Sequence, residues 1–239
     1  MRNVSLFVAL DSLVSNEAGT LAVARTLAEA SPEIGFKVNL DYLLQQGLEN
    51  GIGKVASLGR PVFADVKAWN SAHIMQTVIE NLVAFGVAYL TVHALADTEL
   101  TKAVKATHGT STKVLGVTVL THYDDKYCKR HFGLSLCNAV RRLASIALDA
   151  GCHGIVLPGT ALCVVRDLKT IKVVPGIRPS WYKDTRHREE VEPRIAMESG
   201  ADTLVCGDPI MKSTDPVSAL HYILSEMQQV PVDSSYYLG

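Results

Sequence analysis

The feature that most constrains the fold is a regular alternation that runs along the whole chain. Eight short, largely apolar runs, typical of buried parallel strands, alternate with eight amphipathic stretches. The predicted strands are Val4–Leu10, Ile34–Val38, Pro61–Asp65, Ala88–His93, Lys113–Leu120, Gly154–Pro158, Lys172–Gly176 and Asp202–Gly207. The predicted helices are Glu17–Ser31, Leu40–Glu49, Ala72–Phe85, Glu99–Ala106, Ser135–Ala150, Thr160–Leu168, Val191–Ser199 and Pro216–Gln228.

Eight strand–helix units in 239 residues predict an α/β fold, a single (β/α)8 TIM barrel over residues 1–239. A short C-terminal tail is expected from about residue 230. A doubly wound open sheet is the alternative, since it is built from the same alternating units.

Composition limits the possible partners and the compartment. The chain is 48% hydrophobic and 20% charged, with a net charge of −1, so neither nucleic acid nor an anionic membrane surface is an expected partner. No apolar run approaches the ~18 residues that a membrane-spanning helix needs. The five cysteines lack CxxC spacing and lie mostly in apolar stretches, which predicts buried, reduced thiols and a cytoplasmic protein.

Charged and polar residues follow the predicted strands at their carboxyl ends. In a (β/α)8 barrel these ends form one mouth, where functional groups gather. The residues at these positions are Asp11, Lys37, Asp65, Lys67, His93, Thr121, His122, Pro158, Gly159, Pro175–Arg178 and Gly207–Pro209. Two lysines and two carboxylates are therefore expected to converge on one site.

The stretch "VFADVKAWN" places Asp65 and Lys67 at the end of a core strand. A single lysine such as Lys37 can extend to the barrel rim, but a cluster of buried charges forms either a closed ion network or a site. The lysines argue against a divalent metal, which would need carboxylates and water there. Such a cluster can stabilise negative charge and deliver a proton, as the loss of carbon dioxide from a carboxylate requires.

Two glycine-bearing turns complete the predicted mouth. "VVPGIR" follows the seventh predicted strand, and "VCGDPI" follows the eighth. In barrels of this type these two loops often bind phosphate through backbone N–H groups. Either turn alone is an ordinary one, so the expectation rests on their location.

Taken together, these motifs resemble the orotidine 5'-phosphate decarboxylase family over nearly the whole chain. The matching pieces are Val8–Asp11, Phe36–Val38, Phe63–Lys67, Thr91–Ala94, Gly116–Thr121, Val173–Pro179 and Gly200–Ile210. The resemblance implies a homodimeric barrel with shared active sites that converts orotidine monophosphate (OMP) to UMP and carbon dioxide, in pyrimidine biosynthesis. It implies neither a metal nor an organic cofactor.

The resemblance also implies roles for individual residues. Asp11 resembles the ribose-binding aspartate, and Lys37 the lysine that links the ribose to the charged network. Asp65 resembles the carboxylate beside the departing carboxylate, and Lys67 the lysine that protonates C6. His93 resembles the histidine at the end of the fourth strand. The predicted catalytic residues are Lys37, Asp65, Lys67 and Asn70. The predicted substrate-binding residues are Asp11, His93, Thr121, His122, Pro158, Gly176, Ile177, Arg178, Gly207 and Asp208.

Several positions depart from the family pattern. Asn70 replaces an aspartate that enters the partner subunit's site, and residues 71–74 differ from the usual Ile-Pro-Asn-Thr. His122 replaces a pyrimidine-contacting serine, and Asp208 replaces a phosphate-binding arginine. The loop at residues 180–188 offers Lys183, Arg186 and Arg188 as substitute phosphate ligands. Residues 178–192 contain no clear match to the family's phosphate-loop glutamine.

Three hypotheses follow. The first is an OMP decarboxylase with an altered periphery and Lys67 as proton donor. The second is a divergent decarboxylase that acts on another nucleotide-like or nucleoside-like substrate, with a weakened phosphate site. The third is a non-catalytic ligand-binding dimer, which the retained lysines disfavour. A metal-dependent sugar-phosphate lyase on a related barrel is disfavoured, because Lys37 stands where such relatives place a metal-binding acid.

Overall fold

A computed structural model of the chain describes residues 4–182 and 190–228. Its strands are β1 Leu6–Ala9, β2 Ile34–Asn39, β3 Val62–Ala68, β4 Tyr89–His93, β5 Lys113–Val117, β6 Gly154–Val156, β7 Ile171–Val174 and β8 Thr203–Cys206. Its α-helices are α1 Glu17–Ala30, α2 Leu40–Gln46, α3 Leu48–Ala56, α4 Ala72–Ala84, α5 Thr98–Val104, α6 Asp125–Phe132, α7 Leu136–Asp149, α8 Pro193–Glu198, α9 Asp208–Met211 and α10 Pro216–Gln228. Short 3-10 helices cover Ala94–Ala96, Lys105–Thr107 and Gly159–Val165.

The eight strands form one closed parallel barrel in chain order. Closure is visible at β1, which pairs in parallel with β2 on one side and with β8 on the other. An open doubly wound sheet would leave two strand edges unpaired, so that alternative is wrong. The predicted (β/α)8 barrel is confirmed.

The structure differs from the expected elements in its connections. The crossover from β6 to β7 is the 3-10 segment Gly159–Val165, where a helix over Thr160–Leu168 was expected. The short α6 was not expected, since its charged sequence lacks a strong apolar stripe. Pro193 occupies the first turn of α8, so this helix begins two residues later than expected. The expected tail from about residue 230 lies outside the described residues.

The inside of the barrel is filled by inward-pointing side chains of alternate strand residues. Phe7, Phe63 and Tyr89 pack together there, with ring centroids between 5.2 and 5.8 Å apart. Gly35 on β2 makes room for them, because a Cβ at this position would lie 2.3 Å from a ring carbon of Phe7. This aromatic layer closes the lower part of the barrel, so that any open space lies above it, toward the carboxyl ends of the strands.

The five cysteines are all free thiols, as expected, but they are not all buried. Cys128, Cys152 and Cys206 are buried, whereas Cys163 is exposed. Among the described residues, no helix has both the length and the apolar character needed to cross a membrane.

Candidate active site

A cavity of about 440 Å³ lies at the carboxyl ends of the strands. Its floor is formed by inward-facing apolar residues, including Ala9, Phe63, Val117, Val156 and Val205. Charged and polar side chains and two loop glycines form its walls. These are Asp11, Lys37, Asn39, Asp65, Lys67, Thr121, His122, Gly176, Arg178, Gly207 and Asp208.

Asp65 and Lys67 reach this cavity from an irregular segment of β3. The pairing of β3 with β4 shifts between Ala64 and Ala68, which is the mark of a β-bulge. Lys67 lies within the bulge and has a φ of +46°, a backbone conformation uncommon for a residue with a side chain. The strand therefore ends in a strained segment that directs two opposite charges toward one space.

The two lysines and two aspartates alternate in a continuous network. Lys67 Nζ lies 2.6 Å from Asp65 Oδ2, and Lys37 Nζ lies 3.5 Å from the same oxygen. Lys37 Nζ also lies 3.4 Å from Asp11 Oδ1. Lys37 and Asp65 are almost fully buried, whereas the side chains of Lys67 and Asp11 are 37% and 40% exposed. The network thus has a buried centre and two ends that face the cavity.

Mutual pairing keeps the buried members of the network ionised. Burial alone would raise the pKa of Asp65, but the Lys37 and Lys67 ammonium groups and a hydrogen bond from Thr91 together lower it. Burial would likewise lower the pKa of Lys37, but Asp65 and Asp11 raise it overall. The pKa of Asp11 is lowered because Lys37 and Asn39 outweigh its burial. The cluster is therefore a neutral set of fixed charges at neutral pH.

Sequence reasoning missed two polar residues that belong to this network. Asn39 donates from Nδ2 to Asp11 Oδ1 at 2.9 Å and accepts a hydrogen bond from Lys37 Nζ. Thr91 donates to Asp65 Oδ1 at 2.9 Å. Both residues face inward near the ends of their strands, and strand alternation from Lys37 and Tyr89 could have placed them there.

The opposite wall, at the ends of β7 and β8, is built differently. Asp208, at the start of α9, is buried and pairs with Lys212 Nζ at 2.6 Å. Arg178 is buried as well, and its Nε lies 3.9 Å from Glu190 Oε1. Gly207 allows close approach here, because a Cβ would lie 3.2 Å from Asp11 Oδ2. A negative side chain, Asp208, and a positive one, Arg178, therefore both lie at the end of the cavity where a phosphate was expected.

Four of the predicted site residues do not line the cavity of the single chain. Pro158 and Ile177 are buried, and Ile177 packs in the outer core. The Nδ1 atom of His93 accepts a hydrogen bond from Leu95 N, and burial together with the Lys67 charge lowers the pKa of the imidazole. Asn70 is exposed, and its Oδ1 accepts from Ser71 N at 2.8 Å.

The rim beside the end of β3 carries exposed apolar side chains. Trp69 is 62% exposed and Ile74 is 46% exposed. On the neighbouring α2, Leu40 and Leu44 are 42% and 76% exposed. Large apolar side chains grouped at a rim are typical of a protein–protein contact.

Two further expectations concern a metal ion and the loop that follows β7. Within residues 4–182 and 190–228, no three His, Cys, Asp or Glu side chains are grouped as a metal site would require. Lys183, Arg186 and Arg188, the possible substitute phosphate ligands, lie outside the described residues.

Comparison with known proteins gives consistent results. Residues 5–223 match the family model described as orotidine 5'-phosphate decarboxylase / HUMPS family. The chain is 34% identical over 218 residues to the orotidine 5'-phosphate decarboxylase of Erythrobacter litoralis, covering 90% of this chain and 95% of that protein. It is 32% identical over 236 residues to that of Paramagnetospirillum magneticum, covering 93% and 97%.

A solved structure shows the same fold. The orotidine 5'-phosphate decarboxylase of Lactobacillus acidophilus superposes with a TM-score of 0.74 at 23% identity, covering 94% of this chain and 99% of that one. At this identity the likeness concerns the fold alone.

Proposed function

The chain belongs to the orotidine 5'-phosphate decarboxylase / HUMPS family, and from this premise we propose that it converts OMP to UMP and carbon dioxide, with Lys67 as the proton donor. The observation that carries the proposal is the position of Lys67. Its ammonium is held 2.6 Å from the Asp65 carboxylate at the wall of the cavity. The reaction class is that of a carboxy-lyase.

The geometry supports a direct mechanism that uses the chain's own side chains. The pyrimidine lies in the cavity with its carboxylate beside Asp65, and the ribose hydroxyls lie toward Asp11 and Lys37. The bond between C6 and the carboxyl carbon breaks, carbon dioxide leaves, and the electron pair remains on C6. Lys67 then transfers a proton from Nζ to C6, which gives UMP and leaves Lys67 as a neutral amine.

The charged network assists both halves of this reaction. Asp65 is held ionised by two lysines, so its negative charge opposes the substrate carboxylate but not the departing, neutral carbon dioxide. The Lys67 ammonium lies close to the developing charge on C6 and stabilises it before the proton moves. Fixed charges that need no rearrangement are the most effective form of such stabilisation.

A homodimer is part of the proposal. Asn70 and the exposed Trp69 and Ile74 lie just beyond the end of β3, outside the cavity of their own chain. An isologous contact at this rim would cover the apolar side chains and bring Asn70 toward the partner's cavity. Sedimentation at micromolar concentration tests this, and a monomer would contradict it.

The proposed compartment is the cytoplasm. All five cysteines are free thiols, and the exposed Cys163 would be open to oxidation in a disulfide-forming compartment.

One observation favours a second candidate, a decarboxylase whose substrate lacks the 5'-phosphate. Asp208 is a buried carboxylate in the cavity wall at the phosphate end of the barrel. A carboxylate repels a phosphate dianion, by ~1 kcal/mol in solvent and by more where it is buried, and the Lys212 ammonium 2.6 Å from Asp208 reduces this repulsion. Orotidine, which carries a neutral hydroxyl there, would avoid that repulsion.

A direct assay distinguishes the candidates. Purified protein is incubated with OMP and, separately, with orotidine in deuterated water, and the products are identified by mass and NMR. Turnover of OMP to UMP with deuterium at C6 supports the first proposal. Preference for orotidine supports the second. Binding of either compound without turnover would contradict both and favour a ligand-binding protein.

A further inference from the structure

The bulge that carries Lys67 has a specific support on the neighbouring strand. Between Ala64 and Ala68 the ladder to β4 is interrupted, so the backbone here is not held by regular strand pairing. The N–H of Lys67 is satisfied by the Thr91 side chain instead, at 2.9 Å from Oγ1. This contact holds a residue whose φ of +46° would otherwise be unfavourable.

The hydrogen bonds of Thr91 have only one possible direction. A backbone N–H can only donate, so the Thr91 oxygen accepts from Lys67. The single hydroxyl proton is then directed to Asp65 Oδ1, at 2.9 Å. Thr91 is fully buried on β4, so solvent does not compete for these hydrogen bonds.

The two oxygens of Asp65 consequently have separate tasks. Oδ1 accepts from Thr91, while Oδ2 faces the ammonium groups of Lys67 and Lys37. Tilting the carboxylate out of this plane would weaken all of these contacts together. The plane of the carboxylate, and with it the direction in which it holds Lys67 Nζ, is therefore set from β4.

We propose that Thr91 is a positioning residue for decarboxylation, whose hydroxyl links the backbone of Lys67 to the carboxylate of Asp65 and so fixes both groups relative to the substrate. It contacts neither the cavity nor the reacting atoms, and it acts only through these two residues. The inference rests on the proposed function for its kinetic consequences. The hydrogen-bond link itself is independent of the substrate.

The test compares Thr91→Val, which keeps the shape but removes the hydroxyl, with Thr91→Ser, which keeps the hydroxyl. The matched control is Thr112→Val, because Thr112 is also a buried threonine, and its hydroxyl donates to Val87 O at 2.7 Å before β5 begins. Urea unfolding of all variants shows whether each is folded under assay conditions.

For Thr91→Val we expect kcat for OMP to fall by about 10- to 100-fold, the range for one hydrogen bond to a charged group, with little change in KM. Thr91→Ser and Thr112→Val should stay close to the wild type. A Thr91→Val variant as active as the wild type, or a Thr91→Ser variant as impaired as Thr91→Val, would overturn the proposal.

The pH dependence of kcat distinguishes a positioning role of Thr91 from a purely structural one, which would leave this dependence unchanged. The titratable groups around Asp65 are Lys37 from β2 and Lys67 from β3, with Asp11 beyond Lys37 and His93 beyond Lys67. All of them remain in Thr91→Val, and only the hydrogen bond that favours the ionised carboxylate is lost. The acid limb of the kcat profile should therefore move to higher pH, and an unmoved limb would count against the proposal.

A second measurement separates this inference from the proposed function. Protein labelled with ¹³C at the aspartate carboxyls is titrated by NMR, with Asp65→Asn used to assign the Asp65 signal. Asp65 should titrate at higher pH in Thr91→Val than in the wild type, even if the wild type does not decarboxylate OMP. Identical titrations in the two proteins would overturn the inference, whereas wild-type inactivity alone would overturn only the proposed function.

Discussion

The two sides of the cavity use the same kinds of charged side chain in different ways. On the side of β1, β2 and β3, the four network charges come from strand ends on three separate strands and pair with one another at 2.6 to 3.5 Å. On the side of β7 and β8, Asp208 pairs with Lys212, four residues later in the same chain segment. One side is a network between strands, and the other is a local pair at a loop.

This difference separates the chemistry from the recognition of the substrate. Charges on strands are held by the barrel itself, so their spacing is fixed before a substrate arrives. Charges on loops can change without disturbing the barrel, which is why substrate preference varies there in barrel enzymes. We therefore expect changes on the β1–β3 side to abolish the reaction and changes on the β7–β8 side to alter which substrate is used.

The largest effect is expected from Lys67→Ala. Loss of the proposed proton donor should lower kcat for the confirmed substrate by about 10⁴-fold or more, because C6 then has no positioned acid and no adjacent cation. The measurement is product formation under saturating substrate, together with urea unfolding to show that the variant is folded.

A matched control is Lys172→Ala. Lys172 is a buried lysine of β7, and its Nζ donates to Leu168 O at 2.7 Å, away from the cavity. Its removal should leave kcat close to the wild-type value. Near-native activity of Lys67→Ala on OMP or on orotidine would remove Lys67 from the mechanism.

The next largest effect concerns stability, and Lys37→Met probes it. Removal of this buried ammonium leaves Asp11 and Asp65 close together without their shared partner, which should cost about 3–5 kcal/mol in the free energy of unfolding. The corresponding change on the other side, Lys212→Met, leaves one buried carboxylate, Asp208, without its partner, whereas Lys37→Met leaves two. It should therefore also destabilise the protein, but by less than Lys37→Met, because the Lys212 side chain is itself 58% exposed. Equal losses in urea unfolding would show that the two sides do not differ as described.

The pH dependence of the free energy of unfolding follows from the direction of the pKa shifts. The pKa values of Asp11 and Asp65 are lowered on folding, so their contribution is present above the unfolded pKa of ~3.9 and is lost as the pH falls through the folded values. The pKa of Lys37 is raised, so its contribution is present below the unfolded pKa of ~10.4 and is lost as the pH rises through the folded value. In urea unfolding, the wild type should lose stability at both acidic and alkaline pH. Lys37→Met should lack the alkaline loss that Lys37 causes.

The arrangement of charges on the β1–β3 side of the cavity could be predicted from the sequence. Runs such as Val4–Leu10 and Pro61–Asp65 are apolar because both faces of a barrel strand are buried, and parallel strands bring their carboxyl ends together. The convergence of Asp11, Lys37 and Asp65 follows from these two facts. The network distances agree with that expectation.

The rest of the site depends on geometry that no residue type reveals. The bulge at Lys67 cannot be read from "FADVKAWN", because a lysine with positive φ carries no sequence signal comparable to glycine. The role of Thr91 depends on that bulge, so it was missed together with it. Asp208 was noticed, but its pairing with Lys212 depends on α9, a helix of four residues that periodicity does not detect.

A smaller effect is expected from Asp208→Arg, which changes recognition on the β7–β8 side. If OMP is the substrate, an arginine here replaces a repulsive charge by a bidentate donor and should tighten OMP binding by ~1.5–3 kcal/mol, or about 10- to 150-fold. Orotidine binding should change little. The measurement is the Kd of both ligands by calorimetry.

Asp149→Arg is the matched control, because it makes the same change of charge at the exposed end of α7. It should affect neither ligand. If the substrate instead carries a neutral or cationic group near Asp208, Asp208→Arg should weaken its use, and orotidine turnover should fall in this variant only. An unchanged Kd for both ligands would place Asp208 outside the site.

The smallest effect is expected from Asn70→Asp, which extends the β1–β3 network across the proposed dimer. In the partner's cavity, a carboxylate at this position would add a negative charge near the substrate carboxylate and raise the energy of the ground state more than that of the transition state. In the Asp208→Arg background, kcat for OMP should rise about fivefold, the equivalent of ~1 kcal/mol. Asn50→Asp, on the exposed face of α3, makes the same change of charge outside residues 69–74 and should have no effect. Because Asn70 does not line the cavity of its own chain, the increase should disappear under dilution that separates the subunits. A rise in kcat that persists in the monomer would mean that residue 70 acts within its own barrel and that the shared site is wrong.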